Sequence, residues 1–182
     1  MIEVVRDVGG IKGLCVITPK VFGDKRGWFM ETYNQRDFIE AGINTKFVQD
    51  NQSCSQKGVL RGLHFQKNFP QTKLVRVIKG AVFDVAVDLR ENSATYGKWH
   101  GEILTEDSKK QFLIPRGFAH GFLVLSDTAE FCYKCDDFYH PNDEGGIMYN
   151  DPDINIKWPQ IDVQLILSDK DTKWPTLKEL RK

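Results

Sequence analysis

Hydrophobic and polar residues alternate in short runs along most of this chain, and Gly or Pro separates the runs. A period of two marks strands with one face against a core. Residues 14–17 form an apolar run that precedes a turn at Thr18-Pro19. Gly23-Asp24-Lys25-Arg26-Gly27 is a loop of turn formers, and residues 28–33 resume as a strand. Residues 36–42 are the first helix candidate, one or two turns long, with Gly42 as the stop. From residue 59 the alternation sharpens. One face of residues 60–66 carries Gly62, His64 and Gln66, and the other carries Arg61, Leu63 and Phe65. Residues 73–78 form another strand, turned at Lys79-Gly80. In residues 81–89, Phe83, Val85, Val87 and Leu89 share one face, while Asp84, Ala86 and Asp88 share the other. Two acids on one face fit a solvated surface or the wall of a pocket equally well. Residues 111–114 end at Pro115-Arg116-Gly117, and strands at 120–125 and 130–135 follow. After a turn at 150–153 the pattern thins: residues 161–167 are semi-apolar, and 172–180 read as a short closing helix. Many short strands with Gly/Pro turns, and no fixed-period repeat, predict an all-β sandwich or barrel.

Composition narrows the class. At 182 residues the chain is expected to form one domain, residues 1–182, with a core that needs no metal or disulfide staple. Lys+Arg and Asp+Glu both number 25, which argues against a nucleic-acid partner but leaves room for a local cationic pocket. No apolar run approaches the roughly 20 residues of a membrane helix. The start, Met1-Ile2-Glu3-Val4-Val5-Arg6, lacks the pattern of a signal peptide, so a cytoplasmic location is expected. Of the four cysteines, only Cys132 and Cys135 are closely spaced. They fall in a strand, where side chains three apart point to opposite faces, so structural thiols are expected and not a zinc or redox pair.

Two short motifs resemble those of cupin-type jelly rolls. Gly58-x5-His64-x-Gln66 matches the first half, and Pro115-Arg116-Gly117-Phe118-Ala119-His120 matches the second. Gln66 stands where the second histidine ligand would be, and no Glu lies between Gln66 and Gly80. Transition metals need three or four N, S or carboxylate ligands, so the pocket is expected to hold no metal. His100 follows Trp99 in a surface-like stretch and His140 precedes Pro141 in a turn; both are read as structural. His64, beside the small Gly62, is read as a pocket histidine. Its ordinary pKa, near 6.5, suits general-base work, given an acidic partner on the far ring nitrogen.

The order of longer motifs is more specific. Gly23-Asp24-Lys25-Arg26-Gly27-Trp28-Phe29-Met30-Glu31, Gln49-Asp50-Asn51-Gln52-Ser53 and Gly58-Val59-Leu60-Arg61-Gly62-Leu63-His64-Phe65-Gln66 resemble segments of dTDP-4-dehydrorhamnose 3,5-epimerases. So do Lys73-Leu74-Val75-Arg76-Val77, Gly80-x3-Asp84-Val85-x2-Asp88-Leu89-Arg90, the segment from Ile114 to Phe122, Tyr133-Lys134, Tyr139, Asn150-Asp151-Pro152 and Leu167-Ser168-x-Lys170-Asp171. The resemblance implies a cupin-like jelly roll with a few short helices, a homodimer, an isomerase and no cofactor. It implies dTDP-4-dehydro-6-deoxyglucose as substrate, epimerised at C3 and C5 on the way to dTDP-rhamnose. By resemblance His64 is the base, Asp171 holds it, Tyr133 is the proton donor and Lys73 is the cation for the C4 oxygen. Substrate binding falls to Lys73 with Arg26, Glu31, Gln49, Asn51, Arg61, His120, Glu144 and Lys170, and Tyr139 is expected to stack on the thymine. Strict alternation sets Arg61 opposite His64, so a bulge, a twist or a second subunit must bring both to ligand. An epimerase acting at one carbon only, or a catalytically silent cupin that binds sugar nucleotides, would keep the same fold.

Overall fold

The structure, a computed structural model, describes residues 2–181. Thirteen strands run along it: β1 (Ile2–Arg6), β2 (Cys15–Pro19), β3 (Val21–Asp24), β4 (Gly27–Met30), β5 (Gln49–Gln56), β6 (Leu60–Gln66), β7 (Lys73–Lys79), β8 (Ala81–Asp88), β9 (Trp99–Thr105), β10 (Gln111–Ile114), β11 (Phe118–Val124), β12 (Thr128–Cys135) and β13 (Glu144–Gly146). Two short α-helices, α1 (Gln35–Glu40) and α2 (Leu177–Leu180), and two single 3-10 turns, Val8–Gly10 and Pro141–Asp143, complete the set. A six-stranded sheet has the order β1-β2-β10-β7-β12-β5, and a five-stranded sheet the order β13-β6-β11-β8-β9. Strands β3 and β4 form a separate hairpin. Neighbours within the sheets are antiparallel, and the nearly all-β architecture is that of a cupin-like jelly roll.

Three apolar clusters explain the layering. The central one joins Val16, Val75, Phe112 and Phe131 of the six-stranded sheet to Val82, Ala86, Leu104 and Phe122 of the five-stranded sheet. A second covers the outer face of the five-stranded sheet: Leu63, Phe83, Val85 and Val87 pack against Ile147, Ile154 and Ile156, with Leu177 and Leu180 of α2. A third seats Phe38 of α1 and Ile43 on Cys15, Ile17, Leu74 and Leu113. Strand β8 is therefore buried on both faces. Its apolar face meets the C-terminal segment, and its acid-bearing face turns inward, where Asp84 and Asp88 are both fully buried. That settles the choice that periodicity left open.

Three expectations shift. The turn at Thr18-Pro19 is the end of β2, with Pro19 opposite Ile2. Strand β10 pairs only with Cys15 to Ile17, so the missing N–H of Pro19 falls beyond that ladder. Of residues 28–33, only those up to Met30 are strand, in the hairpin. The closing helix shortens to α2, because Pro175 disfavours a helical Trp174 and Thr176 caps the turn in a box with Glu179. Among the described residues, no helix is long and apolar enough to cross a membrane.

Candidate active site

The polar residues gather between the two sheets. His64 lies on β6, and its Nε2 is 2.5 Å from Oδ1 of Asp171, 107 residues away in sequence. Asp171 is buried at 2% exposure, and the same oxygen accepts the indole N–H of Trp174 at 3.2 Å. Burial pushes the Asp171 carboxyl up, but the hydrogen bond and charge of His64, with the bonds of Ser168 and Trp174, hold it below the usual carboxylate range. Asp171 fixes one ring nitrogen, and Nδ1 makes no hydrogen bond among the described residues. Among the described residues no fully buried side-chain nitrogen or oxygen lacks a partner, so Nδ1 is accessible from outside the chain.

A β-bulge resolves the facing of Arg61. His64 pairs with His120 of β11, but Arg61 pairs with Phe122, so Gly62 and Leu63 together oppose Gly121 alone. The extra residue returns Arg61 to the inner face, while Leu63 joins the outer apolar cluster. Arg61 donates through Nε and Nη2 to Ser55 Oγ on β5, at 3.2 and 3.1 Å, and its charge acts on Tyr133. Glycine is required at the crossing. A Cβ on Gly62 would lie 2.6 Å from the Gly121 Cα, and one on Gly121 would lie 2.6 Å from the Arg61 carbonyl oxygen.

Beside His64, His120 Nε2 lies 3.0 Å from both carboxylate oxygens of Asp84, and both residues are buried. Burial lowers the His120 pKa and raises that of Asp84, each opposed by its partner's charge. Burial also lowers the Lys73 ammonium, against the nearby carboxylates of Asp84 and Glu144. Tyr133 projects from β12, in the sheet facing His64. Burial raises its phenol, so it keeps its proton through the neutral range.

Gln66, at the position of a lost metal ligand, has its amide engaged by backbone. Nε2 donates to the Phe69 and Phe138 carbonyls at 2.7 and 3.1 Å, and Oε1 accepts from His140 N at 2.7 Å. Gln49 accepts from Tyr139 N at 2.9 Å and donates to Asn51 at 3.0 Å. These amides clamp the segment that carries Tyr139, a residue 52% exposed. Lys170 bridges both oxygens of Glu144 at 2.7 and 2.8 Å on the rim. Among the described residues no three His, Cys, Asp or Glu side chains converge as metal ligands would. The four cysteines are unpaired thiols.

Two residues expected at the site stand apart from it. Arg26 pairs with Asp24 at the β3–β4 turn, and Glu31 accepts from Asn34 at 3.3 Å, so neither contacts the His64 cluster within one chain. Sequence reasoning also missed three participants: Trp174, Ser55, and Asp84 as the partner of His120. Only Asp84 left a signal, as an acid opposite an unbroken apolar face. A cleft of about 770 Å³ at the barrel end shares Lys73 and Gln66 with the site but not His64 or Tyr133. The perturbed groups His120, Asp84 and Asp171 converge outside that cleft.

Comparison with known proteins adds a separate line. The family profile described as dTDP-4-dehydrorhamnose 3,5-epimerase matches residues 9–179. The chain is 55% identical over 172 residues to the dTDP-4-dehydrorhamnose 3,5-epimerase of Escherichia coli K12, covering 93% of this chain and 92% of that protein. It is 54% identical over 170 residues to the protein of that name from Methanothermobacter thermautotrophicus, covering 93% and 92%. Its backbone superposes with a TM-score of 0.93 on a crystal structure of the dTDP-6-deoxy-D-glucose-3,5-epimerase of Legionella pneumophila in complex with dTDP-4-keto-L-rhamnose. That pair is 50% identical, with 98% of this chain and 94% of the other covered.

Proposed function

The chain belongs to the dTDP-4-dehydrorhamnose 3,5-epimerase family, an isomerase family, and on that footing we propose that it inverts C3 and C5 of dTDP-4-dehydro-6-deoxyglucose by proton transfer between His64 and Tyr133. The product is dTDP-4-dehydro-L-rhamnose, on the route to dTDP-rhamnose.

The hydrogens at C3 and C5 both lie alpha to the C4 ketone. His64 Nδ1 takes one of them while Asp171 holds the other ring nitrogen and stabilises the imidazolium. The electron pair moves to the C4 oxygen as an enolate, and Lys73 supplies the compact positive charge it needs. Tyr133 then gives its proton to the carbon from the opposite side. The observation that carries this reading is the placement of acid and base on facing sheets, with the base held by a buried carboxylate. Reprotonation from the face opposite to abstraction is what inverts a centre. His64 then releases its proton to solvent and Tyr133 regains one, and after a shift of the ring the same groups serve the second carbon; the scheme needs no cofactor.

Arg61, Lys170 and Arg26 suit the diphosphate. Gln49, Asn51, Glu31, Glu144 and His120 suit polar edges of sugar and base, and the exposed Tyr139 ring suits stacking on thymine. Arg26 and Glu31 reach a site only from a second copy, which favours a homodimer. The hairpin that carries Arg26 exposes Phe22, Trp28 and Phe29 at 53%, 57% and 66%. Proton NMR of the incubated sugar nucleotide tests the proposal. Inversion at both C3 and C5 is expected; inversion at one carbon makes this a single-site epimerase, and unchanged sugar with tight binding makes it a nucleotide-sugar-binding cupin.

A further inference from the structure

We infer that Trp174 is a positioning residue for the His64–Asp171 pair, setting through its indole N–H how strongly the carboxylate holds the imidazole. The indole and the imidazole meet on one atom, Oδ1 of Asp171, at 3.2 and 2.5 Å. The indole also packs edge-on to the His64 ring, with centroids 6.1 Å apart at 68°. The fold makes room for it. Gly146 of β13 lies directly opposite His64, and a Cβ there would sit 2.4 Å from the indole ring. An indole in that slot restrains Asp171 from one side while His64 engages it from the other.

The competition has a sign. A neutral donor on Oδ1 withdraws part of the charge that an imidazolium would use. Removing it strengthens the hold on protonated His64. The other charged groups around His64 are His120 on β11, Glu144 on β13 with its partner Lys170, and Arg61 on β6 itself. A phenylalanine at 174 keeps an aromatic ring edge-on to His64, so the change it makes is the loss of the hydrogen bond to Asp171.

Trp174→Phe keeps the ring and removes the donor. NMR titration of the His64 ring, assigned with His64→Asn, is expected to show a midpoint higher in Trp174→Phe by about 0.5–1 pH unit. An unchanged or lower midpoint would overturn the inference. The wild-type protein gives a second reading that needs no stable variant: the Trp174 indole N–H resonance should shift with the midpoint of His64. An indole indifferent to that titration would overturn it as well. For function the inference rests on His64 as the epimerase base, and the acid limb of the Trp174→Phe rate profile should then move with the midpoint. Absent epimerase activity would sink that functional reading and leave both NMR results decisive for Trp174.

Discussion

The chemistry of His64 depends on what Asp171 does to one of its nitrogens. A carboxylate on Nε2 fixes the ring's orientation and its tautomer, which in the proposed reaction leaves the lone pair on Nδ1 for substrate. Asp171→Asn preserves the volume but removes that preference. We expect kcat to fall about 10²–10⁴-fold with KM little changed. Steady-state kinetics checks this, and an unchanged kcat would contradict the role of Asp171. At this scale the sequence singles out His64 as a pocket histidine from its strand face beside Gly62, whereas Lys73, Tyr133 and Asp171 enter only through resemblance to the family. It was blind to Trp174, because an indole that meets a carboxylate across a turn has no periodic signature.

At the scale of elements, the bulge in β6 corrects a simple rule. Period two assigns Arg61 and His64 to opposite faces, and one inserted residue returns both to the pocket. Gly62 was visible in the sequence, but nothing there told a bulge from an open pocket wall, since the constraint comes from Gly121 on the neighbouring strand. Strand β8 teaches the converse. Its acids read as ambiguous because a strand buried on both faces still alternates when one face is polar. Asp88 closes that strand by accepting from Arg90, Ser93 and Thr95, and it is fully buried. Burial raises its carboxyl, but these donors hold it far below the usual range. A depressed folded pKa gives stability that is complete above the unfolded value of about 3.9 and fades as pH falls through the folded one. Asp88→Asn should therefore lower stability by about 2–4 kcal/mol at pH 7, and the difference should shrink below about pH 4. Thermal melts of both proteins across pH 2–7 check this, and a gap independent of pH would contradict it.

For the molecule as a whole, the two sheets set His64 on β6 and Tyr133 on β12 against each other, while the β3–β4 hairpin stands outside both sheets. Strand existence and the β class were legible from alternation. Strand order was not, because pairing joins segments far apart in sequence, as β10 inserts between β2 and β7. The exposed aromatic hairpin and the separation of Arg26 and Glu31 from the cluster make sense together in the proposed homodimer. Phe29→Lys should shift the protein from twice 20.9 kDa toward the monomer mass in size-exclusion chromatography with light scattering, and should weaken nucleotide binding in parallel. A wild-type monomer would contradict the dimer. The central claim, proton exchange by a His64 base at both carbons alpha to the ketone, is tested most directly in D₂O. Wild-type protein incubated with dTDP-4-dehydro-6-deoxyglucose should exchange deuterium into C3 and C5, and His64→Ala should exchange at neither; absent wild-type exchange, or exchange that survives in His64→Ala, would contradict it.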